Sequence, residues 1–228
     1  MRFQDAARDA RAVVYAGIQA DPLVARAAEL LADATPEQRL LARAVMNGET
    51  TDAGAWRTTF PTLFGPSAGG IAAERERSDA ILEASLAVAD RGEQVRSQVR
   101  GALVEAVTAR LLARRAGDGT TVRRERRILF DGVPAEIHPY DVTVERSGAA
   151  EAYDCKWGAR GINADVLHQL DDARSHAADE EERLAVALVV FDAARSCQVR
   201  LDRQTAPHDR TGLFSLETLD ELAVGGPR

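Results

Sequence analysis

At 228 residues the chain has room for one large domain or two small ones, and 45% hydrophobic residues against 29% charged ones suffice to fill a sizeable core. A net charge of −7 excludes a surface that attracts nucleic acid as a whole, so any such contact has to come from a local basic stretch. Cys155 and Cys197 form neither a disulfide framework nor a zinc spacing; nothing after Met1 reads as a signal peptide and no run approaches the roughly 20 apolar residues of a membrane span, so the expected location is a reducing cytoplasm with no membrane partner.

Residues 1 to about 116 read as helices, rich in Ala, Leu, Arg and Glu. Asp21-Pro22 supplies an N-cap and an N1 proline for a helix through Leu31. Thr35-Pro36-Glu37-Gln38 repeats the signal with Gln38 at the capping-box position. Residues 48–70 carry seven of the breakers Gly and Pro and read as a loop that Trp56, Phe60 and Phe64 anchor on a core. Helix resumes near Ile71, with a break expected at Arg91-Gly92. Its last part places Val95, Val99, Leu103, Val107 and Leu111 at steps of four, one apolar stripe, and Gly117-Asp118-Gly119 ends it.

Beyond that point the pattern changes to strands. Thr121–Phe130, Ile137–Glu145 and Glu151–Trp157 are β-like, separated by turns at Asp131-Gly132-Val133-Pro134 and Ser147-Gly148. Asn163 caps a helix with the stripe Val166, Leu167, Leu170, Ala173 and Ala177, and Leu184–Phe191 is a continuous apolar run, the mark of a buried strand. A strand at Gln198–Leu201 and a helix at Ser215–Ala223 complete the reading. Two regions follow: a helical region, residues 1–92, and an α/β region, residues 93–228. The second has a mixed central sheet and the order helix, three strands, helix, strand; the first three strands are antiparallel and the last enters through a helical crossover.

The chain holds one lysine, Lys156, against 28 arginines. An ammonium is a compact charge with movable donors and a tunable pKa, whereas guanidinium is a planar fork that stays protonated, so a lone Lys in an arginine-rich chain suggests a task that Arg does not perform. It sits in Asp154-Cys155-Lys156, thirteen residues after Asp141. If Ser147-Gly148 form a two-residue hairpin loop, Arg146 faces Ala149 and Asp141 falls opposite Asp154, with Cβ atoms about 4.5–5.5 Å apart; Lys156, two residues on, shares that face. Two adjacent carboxylates repel unless a proton or a cation bridges them, and an oxygen-only set without a Cys/His cluster suits Mg2+ or Mn2+ better than zinc. The same residues also read as a solvated strand face.

His138-Pro139-Tyr140-Asp141 followed by Asp154-Cys155-Lys156 resembles the signature of the PD-(D/E)XK, or restriction-endonuclease-like, nuclease superfamily. The resemblance spans residues 95–192, and it implies an αβββαβ core with the first Asp on the second strand and the (D/E)XK on the third. Tyr140 stands where the written motif has Pro, with Pro139 one place earlier, and Asp154 replaces the commoner Glu. The resemblance assigns metal binding to Asp141, Asp154 and the backbone carbonyl of Cys155, and nucleophile positioning or activation to Lys156. It adds Glu105 on the preceding helix as a catalytic acid, holding the metal through water; an exposed helix acid is the alternative reading of that residue. Gln169, on the helix after the Lys, matches an element from which some members contact metal or backbone, although Ala173 stands where exonuclease-like members carry an aromatic.

Seven arginines (Arg110, Arg114, Arg115, Arg123, Arg124, Arg126 and Arg127) lie between residues 110 and 127. Guanidinium forks suit phosphates, so Arg123, Arg124, Arg126 and Arg127 are expected contacts to nucleic acid; a charged edge strand protected from aggregation is the alternative. The function implied is Mg-dependent phosphodiester hydrolysis, in DNA by resemblance, with restriction or phage defence as a family analogy. A homodimer or a protein partner bound by the helical region fits the same chain. So does a second function class, a non-catalytic subunit that keeps the fold and binds nucleic acid or a protein partner.

Overall fold

The structure is a computed structural model that describes residues 1–6, 10–65, 72–134, 138–206, 208–209 and 211–227. The chain divides into two compact units, one of residues 13–107 and one of residues 1–12 with 108–228.

The first unit is helical. After α1 (Ala10–Gln19), α2 (Pro22–Ala32) starts on Asp21, whose carboxylate accepts the Leu23 N–H. Helix α3 (Pro36–Asn47) starts on a complete Thr35/Gln38 capping box, so both ends of that box satisfy N–H groups that a helix leaves open. Short helices α4 (Ala53–Thr59) and α5 (Pro61–Phe64) occupy what the glycines and prolines suggest is loop, and both begin at an N-cap or a proline. Trp56, Phe60 and Phe64 are half-buried; the Trp56 indole N–H donates to the Thr50 carbonyl at 3.0 Å. Helix α6 (Ala72–Ala89) packs on α2 and α3. There the Gln38 amide donates to Ser78 Oγ at 2.9 Å and Arg39, fully buried, donates to the Leu31 carbonyl at 3.1 Å. Helix α7 (Glu93–Arg115) follows the break at Arg91-Gly92 and runs through the division between the units. Its stripe is buried at Val99, Leu103, Val107 and Leu111, while Val95, in the first turn, is exposed.

The second unit is built on a seven-stranded mixed sheet in the order β1-β2-β4-β5-β6-β7, with β3 paired to β2. The strands are β1 (Arg2–Asp5), β2 (Thr121–Phe130), β3 (Val133–Pro134), β4 (Tyr140–Arg146), β5 (Ala149–Lys156), β6 (Arg183–Val190) and β7 (Gly212–Phe214). Strands β2, β4 and β5 are antiparallel; β6 joins β5 in parallel through the crossover helix α8 (Ala164–Asp179), and β7 joins β6 in parallel after α9 (Ala194–Leu201). From α7 onward the chain order is therefore helix, strands, helix, strand, with β3 as a short addition. Asn163 caps α8 through the Val166 N–H, and Leu167, Leu170, Ala173 and Ala177 seat that helix on a core with Ala152, Val186 and Leu188.

Three expected elements are corrected. The N-terminal region is not all helix: Arg2–Asp5 is an edge strand antiparallel to β2, because β2 offers an open backbone edge and Arg126 meets Asp5 across it. Gln198–Leu201 is the end of α9, not a strand; Cys197 and Leu201, four apart and both buried, set helical spacing. Ser215–Ala223 is a turn and a five-residue 3-10 helix at Leu219–Ala223. Ile137, the expected start of the second strand, and residues 66–71 lie outside the described residues. Among the described residues no helix is long and apolar enough to cross a membrane.

Candidate functional site

Strands β4 and β5 form a hairpin on Ser147-Gly148, where Gly148 takes a left-handed conformation (φ 66°) that glycine adopts without a steric cost. Pairing runs from Arg146↔Ala149 to Val142↔Tyr153. One residue further Asp141 stands level with Asp154, but no backbone pair forms there. Instead Oδ2 of Asp141 accepts the backbone N–H of Cys155 at 2.6 Å, a charge-assisted bond to the neighbouring strand.

Asp154 and Lys156 share a strand face and form an ion pair through Asp154 Oδ1. Asp154 is 8% exposed, and Oδ1 has no hydrogen-bond partner of good geometry among the described residues, so its charge is met by the ammonium alone. Burial works to lower the Lys156 pKa; the charges of Asp154 and Asp141 outweigh it and hold the pKa above the ordinary lysine value. Lys156 is therefore a cation at neutral pH, equipped to stabilise negative charge and to orient a hydrogen-bond acceptor.

Cys155 points its thiol the other way, 3.5 Å from Thr108 Oγ1 on α7. In an extended strand the N–H and C=O of one residue face the same side. The Cys155 N–H faces Asp141, so its carbonyl does too, while the Lys156 carbonyl faces β6 and accepts the Phe191 N–H at 2.8 Å.

Glu125 belongs to this row, although the sequence presents it only as an acid among arginines. The β2/β4 pairs Arg124↔Val142 and Arg126↔Tyr140 bracket it and set it level with Asp141. Carboxylate oxygens of Glu125 and Asp141 lie within 4.8 Å of each other. Glu125 has φ 55°, a conformation uncommon for a residue with a Cβ, and its carbonyl accepts the Ala6 N–H at 3.0 Å. Three carboxylates, Glu125, Asp141 and Asp154, thus stand level on three adjacent strands. The carboxylates of Glu125 and Asp141 are close enough to share a hard divalent cation, whereas Asp154, level with them, turns its Oδ1 to the Lys156 ammonium.

Glu105 lies on α7 and is 4% exposed, not an exposed helix acid. Within the helical unit it accepts hydrogen bonds from Tyr15 Oη and from Gln19 Nε2, the latter at 2.7 Å. Gln169, on α8, donates its amide to the His138 carbonyl at 3.2 Å, tying that helix to the chain just before β4. His138 and His168 are both exposed.

The basic stretch separates into two groups. Arg126 is engaged by Glu145 and Asp5, and Arg115 by Glu151, Tyr153 Oη and the Leu222 carbonyl. These two are structural in the described state. Arg123 and Arg124, on β2, are exposed and make no ion pair among the described residues, and Arg110 and Arg114 on α7 are exposed. Arg127 is half-buried and has interactions of its own.

Comparison of the chain with protein-family models, with curated proteins and with solved structures finds no match.

Proposed function

We propose that the chain is a metal-dependent nuclease that hydrolyses phosphodiester bonds, with DNA as the substrate, on a restriction-endonuclease-like core of α7, β2, β4, β5, α8 and β6. The observation that carries the reading is the meeting of a protonated Lys156 with Asp154 and Asp141 at the ends of two paired strands. Asp141, Asp154 and the Cys155 carbonyl would hold Mg2+ or Mn2+, with Glu125 as a further oxygen donor. A divalent ion bound there supplies Lewis acidity toward a phosphoryl oxygen and a bound water of lowered pKa. Asp141, fixed by the Cys155 N–H, keeps its second oxygen oriented without a rotamer search. Lys156 leaves its pairing with Asp154 to face the negative charge that accumulates on the phosphoryl group, where a positioned cation in a partly buried site lowers the barrier. Arg123 and Arg124 would contact phosphates flanking the scissile bond.

A panel of single- and double-stranded DNA and RNA, each with Mg2+ or Mn2+ at several salt concentrations, tests the reading. Cleavage that needs a divalent ion and weakens steeply with salt supports it. Absence of cleavage on every substrate with both ions sinks it and leaves the non-catalytic binding subunit.

A further inference from the structure

Lys156 is followed by a loop whose structure is unusually tight around the lysine stem. Residues Ala159–Gly161 form one turn of 3-10 helix, closed by Gly161 N–H to the Gly158 carbonyl at 2.9 Å. A Cβ placed on Gly161 would sit 2.9 Å from each of Cβ, Cγ and Cδ of Lys156. Three carbons of one side chain, beginning at the immobile Cβ, rest against that glycine, so its hydrogen forms one wall of the channel in which the stem runs. Gly161 has no positive φ, so backbone conformation does not explain a glycine here; the close approach does.

The turn has little room to retreat. Asp192, in the loop after β6, accepts the Ala159 N–H on Oδ2 at 3.0 Å and the Ala193 N–H on Oδ1 at 2.8 Å. The main chain of Asp192 is tied as well, its carbonyl accepting the Leu216 N–H at 3.0 Å. Ile162 is fully buried, and its carbonyl accepts Arg200 Nε from α9 at 2.8 Å. Trp157 stacks on Phe191 with ring centroids 5.0 Å apart.

We propose that Gly161, in a turn braced by Asp192 and Arg200, is a positioning residue for Lys156: it confines the stem so that the ammonium is delivered to the carboxylates of β4 and β5. The proposal deepens the nuclease reading, yet its geometric part stands without it. A side chain as long as lysine samples many rotamers when free. A misplacement of about 1 Å at a reacting group can cost about a hundredfold in rate.

Because Lys156 is the only lysine in the chain, its side chain can be read alone. The test compares the full chain, Gly161→Ala, Arg200→Ala and Gly117→Ala. Gly117 is the control, since nothing lies within 4 Å of a Cβ there. Two readouts are independent of activity: the ε-carbon and ε-proton resonances of isotopically labelled lysine, and the acylation rate of Lys156 by an amine-reactive ester, mapped by mass spectrometry. Gly161→Ala is expected to shift the lysine resonances, to raise the acylation rate several-fold, and to lower kcat about a hundredfold with KM little changed. Arg200→Ala is expected to act in the same direction more weakly, and it carries the same readings should Gly161→Ala not fold. Gly117→Ala is expected to match the parent. Unchanged lysine resonances and acylation in folded Gly161→Ala, or equal changes in Gly117→Ala, overturn the proposal. Lysine changes in Gly161→Ala in a protein that cuts nothing, parent included, uphold the clamp and overturn the nuclease reading alone.

Discussion

The Asp141 carboxylate takes the N–H of Cys155 at the place where the β4/β5 backbone ladder ends. A side chain therefore substitutes for the next rung. One carboxylate is thereby fixed, and the residue on either side of Cys155, Asp154 or Lys156, turns to the opposite face of β5 from the thiol. The site sits where a carboxylate replaces one rung of the β4/β5 ladder, while β5 stays paired with β6 through Lys156.

Asp141→Asn tests the substituted rung. An amide keeps an oxygen for the Cys155 N–H and loses the charge. Folding stability is expected to fall by about 1 kcal/mol, the difference between a charged and a neutral acceptor, while cleavage falls at least about a hundredfold. Denaturant unfolding alongside a cleavage assay separates the two effects.

Glu125 carries a conformational cost for its place, and of order 1–3 kcal/mol is typical of such backbone. Glu125→Gly is expected to leave the metal-free protein as stable as the parent or more so, since glycine accepts φ 55° without penalty. The same change is expected to raise the Mg2+ concentration needed for half-maximal protection against thermal unfolding. A clear loss of stability with unaltered ion dependence would remove Glu125 from the site.

Glu105→Ala strands the hydroxyl of Tyr15 and the amide of Gln19 within the helical unit. A loss of about 1–3 kcal/mol is expected from unsatisfied, partly buried donors. Tyr15→Phe, measured in parallel, is expected to cost less, because it removes one donor and leaves Gln19 on the acid.

Glu151 supplies the pH dependence. Burial pushes its carboxyl up, but Arg115, Tyr153 and Arg146 outweigh that and hold its pKa below the ordinary glutamate range. The folded pKa is depressed relative to the unfolded one. Its contribution is thus present above the ordinary glutamate value and is lost as pH falls through the folded value. The stability gap between the parent and Glu151→Gln is expected to be constant at neutral pH and to close below about pH 4. A gap that widens in acid would contradict the ion-pair arrangement.

Much of the sheet unit is legible in the sequence because its signals are local. Two residues, Ser147-Gly148, fix the β4/β5 register, and a continuous apolar run marks β6. Glu125 was not legible, since its place depends on how β2 aligns with β4, and ten residues of β2 crowded with arginine give no register of their own. Arg126 reads as a phosphate contact for the same reason: sequence shows a charge, but only tertiary structure shows that Glu145 and Asp5 already meet it. Strand β1 is not legible because four residues carry no periodicity, and it exists only against the edge of β2.

The central claim is that Lys156 and its carboxylates form a metal-dependent cleavage site. It is tested most directly by purified protein on double-stranded DNA with Mg2+ or Mn2+, beside Lys156→Ala and Lys156→Arg. The account predicts divalent-ion-dependent cleavage by the parent, lost by at least about a hundredfold in Lys156→Ala and not restored by Lys156→Arg, whose wide planar fork replaces a compact ammonium. Cleavage that persists at the parent's rate in folded Lys156→Ala would contradict it.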